Sequence, residues 1–269
     1  MSCPVDSYGK PLNLRTYIQS RLGSRRILLM THVIAGYPSL DVNWRMLERM
    51  ERADVDLVEL QMPFSEPIAD GPVFARANQE ALRQGLSRDR YFDFMARATE
   101  RFGFPHLMMG YYNTVFRMTH RAFCERLSRA GAAGFIVPDL PIEEYHDLFP
   151  LSESHGLTPV ALFTPTNTDA RLAEIGRHGR GFVYGVARRG VTGRRTDLKA
   201  GIDALAARYR AATDVPLALG FGIAGGDDVR QLHGSCEIAI VGSALLEHWE
   251  SGGESEYADF LEELQKARF

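Results

Sequence analysis

The chain has 269 residues, is 45% hydrophobic and 24% charged, and carries a formal net charge of −3. That near-neutral balance excludes a general electrostatic hold on nucleic acid or anionic membrane, and no apolar run approaches the roughly 18 residues of a membrane span. The start MSCPVDSYGK lacks a signal-peptide core, and Cys3, Cys124 and Cys236 are too scattered for a disulfide framework or a metal pair, so a cytoplasmic protein is expected.

In chain order, PLNLRTYIQSRLG has a helical pattern and is expected beneath the main body of the fold. The apolar run ILLMTHVI (27–34) reads as a first strand. LDVNWRMLERMERA (40–53) follows as an amphipathic helix, with Trp44, Leu47 and Met50 on one face. DLVELQ (56–61) is a second strand, and the interval 62–105 leaves room for a long loop and extra helical turns. HLMMGYY (106–112) is a third strand, HRAFCERLSRAG a helix, GFIVPD (134–139) and PVALFT (159–164) further strands, and DARLAEIGRHG another helix. GFVYGVA (181–187), PLALGFG (216–222) and EIAIVGS (237–243) complete the strands, with GIDALAARYRAA helical between two of them and ESEYADFLEELQKARF as a closing helix. The strand segments are too short for independent helices and apolar enough to be buried on both faces. Eight of them, alternating with helices, predict an α/β fold: a (β/α)8 TIM barrel with an extra N-terminal helix, as one domain over 1–269.

In such barrels the chemistry sits at the C-terminal ends of the strands. The segment VELQMPFSEPIADGP (58–72) delivers Glu59 at the end of an apolar strand and places Asp70 in a loop stiffened by Pro63 and Pro67. Glu59 suits either a salt-bridged strand-end acid or a general acid and base, and Asp70 suits either ordinary Asp-Gly-Pro turn chemistry or a second working carboxylate. Three glycine-rich pieces follow the last strands: RRGVTG (188–193), GFGIAGG (220–226) and VGSAL (241–245). Together they predict phosphate binding, with Gly222, Gly242 and Ser243 offering backbone N–H groups and a hydroxyl. Tyr111, Tyr112, Phe182, Tyr184 and Phe221 fit barrel packing, or several of them a planar aromatic ligand. Arg188, Arg189, Arg194 and Arg195 crowd the loop after strand six, either to attract a phosphate ester or as a solvated loop. His32, near the end of strand one, reads as a hydrogen-bonded core histidine. The sequence holds no metal-ligand histidine spacing, Gly-x-Ser-x-Gly elbow, Walker loop or cofactor lysine motif.

These segments, in this order, resemble the α subunit of tryptophan synthase over nearly the whole chain. DLVELQMPFSEPIADGPVFARANQEAL looks like that family's signature, and GFIVPDLPIEE, FVYGVARRGVTG, GFGI and VGSAL match further segments. The resemblance implies that Glu59 and Asp70 are the catalytic pair. It implies that Tyr184, Gly193, Phe221, Gly222, Gly242 and Ser243 line the substrate and phosphate site, with Tyr111 and Thr192 also counted as substrate-binding, and that Arg188 lies on the loop closing over it. It further implies retro-aldol cleavage of indole-3-glycerol phosphate to indole and glyceraldehyde 3-phosphate, without metal or cofactor. The implied partner is a tryptophan synthase β subunit, in a heterotetramer, whose pyridoxal phosphate site consumes the indole. Neither nucleic acid nor membrane is implied.

The chain departs from that pattern at several places. Gln61 stands where the family usually has Gly, Ser65-Glu66-Pro67 replaces Ser-Asp-Pro, and Gly36-Tyr37-Pro38 replaces Gly-Asp-Pro. His32 replaces an apolar or aromatic pocket residue, and Gly110 replaces a bulkier one. Several of these positions fall on the pocket or on the surface that would meet a partner. Two other readings stand beside the first: a divergent lyase releasing indole on its own, and a catalytically weak subunit that activates a β chain allosterically.

Overall fold

The computed structural model describes residues 13–187, 195–220 and 222–269. Helix α1 (Leu14–Leu22) leads into β1 (Leu28–Ile34), α2 (Leu40–Arg52) and β2 (Leu57–Gln61). Two helices, α3 (Pro72–Arg83) and α4 (Arg88–Arg101), fill the interval before β3 (His106–Met109). Then come α5 (Tyr112–Met118), α6 (His120–Arg129), β4 (Gly134–Ile136), a 3-10 turn at Ile142–Glu144, α7 (Tyr145–Ser154), β5 (Thr158–Phe163) and α8 (Asp169–Gly176). The chain continues through β6 (Val183–Val186), α9 (Arg195–Arg210), β7 (Leu217–Gly220), α10 (Gly226–Gln231), β8 (Ile238–Val241) and α11 (Ser243–Lys266). All neighbouring strands pair in parallel and β8 returns to β1, which closes the barrel. The predicted α/β barrel is therefore the observed fold.

Local chemistry accounts for the elements. In α2, Ser39 caps the first turn by accepting the Val42 N–H, Asp41 lies near the positive end and Arg49 and Arg52 near the negative end, and Met46, Leu47 and Met50 are buried. Pro72 occupies the first turn of α3, where its missing N–H costs nothing. The strands are shorter than the apolar runs. HLMMGYY stops pairing at Met109 because Tyr112 already opens α5, its N–H donating to Asp139 Oδ1 at 2.7 Å. The closing helix is continuous with an earlier one in hydrogen bonding, but Gly253, at φ 66°, breaks it into two pieces.

Strand alternation sorts the core into two layers. Leu29, Val33, Val58 and Leu60 point outward into the packing beneath the helices. Leu28, Met30, Leu57, Leu107, Ile136, Val160, Phe182, Ala218 and Ile238 point inward, and Leu14, Tyr17 and Ile18 of α1 plug the N-terminal end of the barrel against them. Complete burial of such a side chain contributes about 1.5–3 kcal/mol, so the plug is a substantial part of the barrel's stability.

A buried ionic knot locks that plug. Asp56, with no exposure, accepts from Arg21 Nε at 2.8 Å, from the Leu29 N–H at 2.9 Å and from Arg268 Nη1 at 2.9 Å, while the Tyr17 hydroxyl donates to its backbone carbonyl at 3.0 Å. One carboxylate thus joins α1, β1, β2 and the C-terminal end. With the lower end filled, the upper end is left for a site. Among the described residues no helix is long and apolar enough to cross a membrane.

Candidate active site

β1 and β2 are parallel neighbours with His32 opposite Glu59 and Ile34 opposite Gln61. Period-2 alternation sends Leu57, Glu59 and Gln61 to the same face of β2, and the first of these is in the barrel's inner core. Glu59 is 1% exposed; its Oε2 lies 2.8 Å from His32 Nδ1, and its Oε1 is buried with no hydrogen-bond partner among the described residues. A buried carboxylate oxygen left unpaired is costly in a resting fold, which marks it as a candidate contact for a ligand. Burial by itself would push the His32 imidazolium pKa down, but its hydrogen bond to Glu59, the charges of Glu59 and Asp70 and the hydrogen bond with Gln61 outweigh it and hold the pKa above the ordinary histidine value. Phe74 of α3 covers the imidazole, with ring centroids 4.5 Å apart.

Gln61 does not crowd Glu59. It is fully buried, and its amide runs sideways along the barrel wall. Oε1 lies 2.7 Å from His32 Nε2, and Nε2 donates to Asp70 Oδ2 at 2.7 Å and to Asn78 Oδ1 at 3.2 Å. Asp70 is held in place from several sides. Its own N–H donates to the Pro67 carbonyl, Asn78 Nδ2 donates to its Oδ2 at 3.1 Å, and the N–H of the preceding Ala69 donates to the Tyr111 hydroxyl at 3.2 Å. The stiffened loop thereby turns Asp70 back over the barrel mouth, onto the cavity that Glu59 also lines.

That cavity has a volume of about 440 Å³, within the range of small-molecule sites. His32, Glu59 and Asp70 line it, together with Gly220, Gly222, Gly242 and Ser243, with Glu247 of α11 at the wall; β8 neighbours β1, so Gly242 comes close to His32. Gly222 stands at φ 78°, a conformation a side chain would strain, and Gly242 precedes the first turn of α11, where backbone N–H groups have no partner within the helix. A Cβ at Gly242 would lie 3.1 Å from the Phe74 ring. The cavity therefore brings together acidic and polar groups, glycine-rich backbone at the start of α11, and apolar Met109, Ile136, Leu162 and Ile240. Tyr184 of β6 also lines it; burial first, then the nearby charges of Glu59 and Asp70, raise its pKa well above the ordinary phenol value, so it is neutral.

Of the residues singled out from the sequence, Glu59, Asp70, Tyr184, Gly222, Gly242 and Ser243 converge on this cavity. Tyr111 does not line it: it is buried under the loop, stacked on Phe64 with centroids 5.1 Å apart, and its hydroxyl supports Ala69. Arg188, Thr192, Gly193 and Phe221 lie outside the described residues. Glu66 is exposed on the loop. Tyr37, another departure, donates to Glu250 Oε1 at 2.6 Å and accepts from Arg76 at 2.8 Å, joining the loop after β1 to α3 and α11. Sequence reading missed Asn78 and Glu247. Asn78 shows no motif beyond a polar residue on the buried side of a helix, and Glu247 is one acid among several in its helix.

Comparison with known proteins agrees with this geometry. The family model described as tryptophan synthase alpha chain matches residues 19–268. The tryptophan synthase alpha chain of Syntrophotalea carbinolica is 43% identical, covering 94% of this chain and all of that one, and that of Desulfotalea psychrophila is 39% identical with the same coverage. A crystal structure of tryptophan synthase from M. tuberculosis superposes with a TM-score of 0.84 at 28% identity, covering 96% of this chain and 99% of that one. The tryptophan synthase subunit alpha from Legionella pneumophila gives 0.84 at 26% identity, covering 95% and 98%. The chain belongs to the tryptophan synthase alpha chain family.

Proposed function

We propose that the chain is an indole-3-glycerol phosphate lyase, acting as the α subunit of a tryptophan synthase. The observation that carries this reading is the convergence of Glu59 and Asp70 on one cavity with Gly222, Gly242 and Ser243. The substrate has matching ends. Its phosphate suits the N-terminal end of α11 with the Ser243 hydroxyl, and its planar indole suits the apolar lining and the carboxylates.

Carbon–carbon cleavage requires protonation of carbon 3 of the indole and removal of the side-chain hydroxyl proton. Glu59 would do both in turn through Oε1, the oxygen with no hydrogen-bond partner among the described residues. Protonation at carbon 3 leaves positive charge at the ring nitrogen, and Asp70 would accept the N–H hydrogen bond and stabilise that charge. Loss of the hydroxyl proton to Glu59 then releases the aldehyde, and the bond's electrons return to the ring. The exposed Glu66, on the same loop as Asp70, is assigned to the surface that meets a β subunit. A cytoplasmic location is proposed with this reading, supported by the free thiols of Cys124 and Cys236.

The test is a turnover assay. The purified chain given indole-3-glycerol phosphate should release indole slowly, and addition of a β subunit should accelerate it. Fast turnover indifferent to a β subunit would instead make it a stand-alone lyase. No turnover in either condition would overturn the catalytic reading.

A further inference from the structure

A continuous hydrogen-bonded chain links the two carboxylates: Glu59 Oε2 to His32 Nδ1, His32 Nε2 to Gln61 Oε1, and Gln61 Nε2 to Asp70 Oδ2. Its polarity is set from the far end. Asn78 Oδ1 accepts the Phe64 N–H at 3.0 Å, while Asn78 Nδ2 donates to the Phe74 carbonyl at 2.8 Å and to Asp70 Oδ2 at 3.1 Å. Turning that amide over would face N–H against N–H and oxygen against oxygen, so Asn78 stands one way round. Its Oδ1 also takes the Gln61 amide N–H, which turns Gln61 Oε1 toward His32. His32 Nε2 must then carry a hydrogen. Only Nδ1 is free to change, and the 2.8 Å contact with Glu59 needs one proton between the two atoms.

We propose that His32 is a positioning residue for the lyase reaction, and that Gln61 sets its tautomer: the imidazolium clamps Oε2 of Glu59, leaves Oε1 as the single working oxygen, and ties Glu59 and Asp70 into one unit. This rests on the lyase reading above. In the cycle, Glu59 rests as the carboxylate held by the Nδ1–H of His32, takes up a proton from solvent at Oε1 as the substrate binds and gives it to carbon 3 of the indole, which leaves the carboxylate held by His32 again. Oε1 then takes the hydroxyl proton as the carbon–carbon bond breaks and the ring regains its electrons. The proton lost is the proton recovered, and His32 keeps its own throughout. If His32 loses its Nδ1 proton at high pH, a lone pair faces the carboxylate and the clamp opens. Among the described residues, the other titratable groups around the cavity are Asp70 from the loop after β2, Tyr184 from β6 and Glu247 from α11; α3 contributes the apolar Phe74.

The experiment is a double-mutant cycle on indole release with pH profiles. His32→Phe and Gln61→Met should each lower kcat, the former by about 100-fold, and the double variant should be no worse than His32→Phe alone, because both changes break one chain. His32→Phe should also lose the alkaline limb of the kcat profile. Additive losses, or an unchanged alkaline limb, would overturn the proposal. A wild-type chain that releases no indole would refute the lyase reading instead. The clamp is then read without turnover by ¹⁵N NMR of the His32 ring. Both nitrogens should be protonated at neutral pH, and Glu59→Gln should move the titration downward; a ring titrating as an ordinary histidine in both proteins would overturn it.

Discussion

His32 of β1 and Glu59 of β2 are register partners in the barrel, 27 residues apart in sequence, and their side chains meet at 2.8 Å inside it. The contact occupies one carboxylate oxygen and leaves the other without a hydrogen-bond partner among the described residues. Glu59→Gln keeps the shape and removes the titrating oxygen. We expect kcat for indole release to fall by about 1,000-fold, with nearly unchanged affinity for an indolylalkyl phosphate that lacks the cleavable hydroxyl. Calorimetric binding together with the indole assay checks this. Near-normal rates would refute the acid–base assignment.

Asp70 accepts from Gln61 and Asn78 on one oxygen, Oδ2. Asp70→Asn can keep an acceptor there but loses the charge facing the indole nitrogen. A fall in kcat of about 100-fold is expected, with a smaller change in KM. Steady-state kinetics separate the two effects.

Gly242 lies against the Phe74 ring, where an added Cβ would come within 3.1 Å. Gly242→Val should therefore narrow the glycine-rich part of the cavity and disturb the first turn of α11. The expected result is a KM raised about 10-fold, equivalent to about 1.4 kcal/mol of binding. The same variant should bind non-phosphorylated indole as wild type does. Equal weakening toward both ligands would count against a phosphate role for this part of the cavity.

Asp56 and Arg268 meet at 2.9 Å, both with no exposure, and hold the C-terminal end onto the plugged floor of the barrel. Arg268→Met strands part of a buried charge. A loss of about 3 kcal/mol in unfolding free energy is expected, measurable by urea denaturation, with kinetics at low temperature little changed because the knot lies at the opposite end from the cavity.

His106, at the start of β3, has two buried ring nitrogens without a hydrogen-bond partner among the described residues. Burial lowers its pKa from 6.5 to about 4, with the Phe104 backbone offsetting only a little. Between those values the unfolded chain binds a proton that the folded chain does not. The stabilisation is therefore complete above pH 6.5 and is lost as pH falls toward 4, by about 3 kcal/mol in all. Unfolding measured across that window should be less steeply pH-dependent in His106→Leu than in wild type. Parallel curves would refute the assignment.

Several features were legible in the sequence because they are written in neighbouring residues. Eight short apolar runs alternating with amphipathic ones imply the barrel through local periodicity, and an acid ending an apolar strand, prolines in the loop beyond and glycines after the last strands mark the lining of the cavity. The runs overestimated the strands, since apolar residues continue into loops that cover the barrel mouth after strand pairing has stopped. Tyr111 illustrates a further limit. Position after β3 suggests a ligand contact, yet the side chain is spent on supporting Ala69.

What the sequence alone determined was the architecture and the positions of two candidate carboxylates, because alternation and strand-end position are properties of a few consecutive residues. Only the tertiary structure decided what His32 and Gln61 do. Each read separately is a polar side chain in the wrong place, one a core histidine and the other a departure from the family's usual Gly. Barrel closure sets the parallel register of β1 and β2, puts both on the inward face, and so makes each the hydrogen-bond partner the other requires. A buried polar group is tolerable only when its partner is present, and that partner comes from another strand.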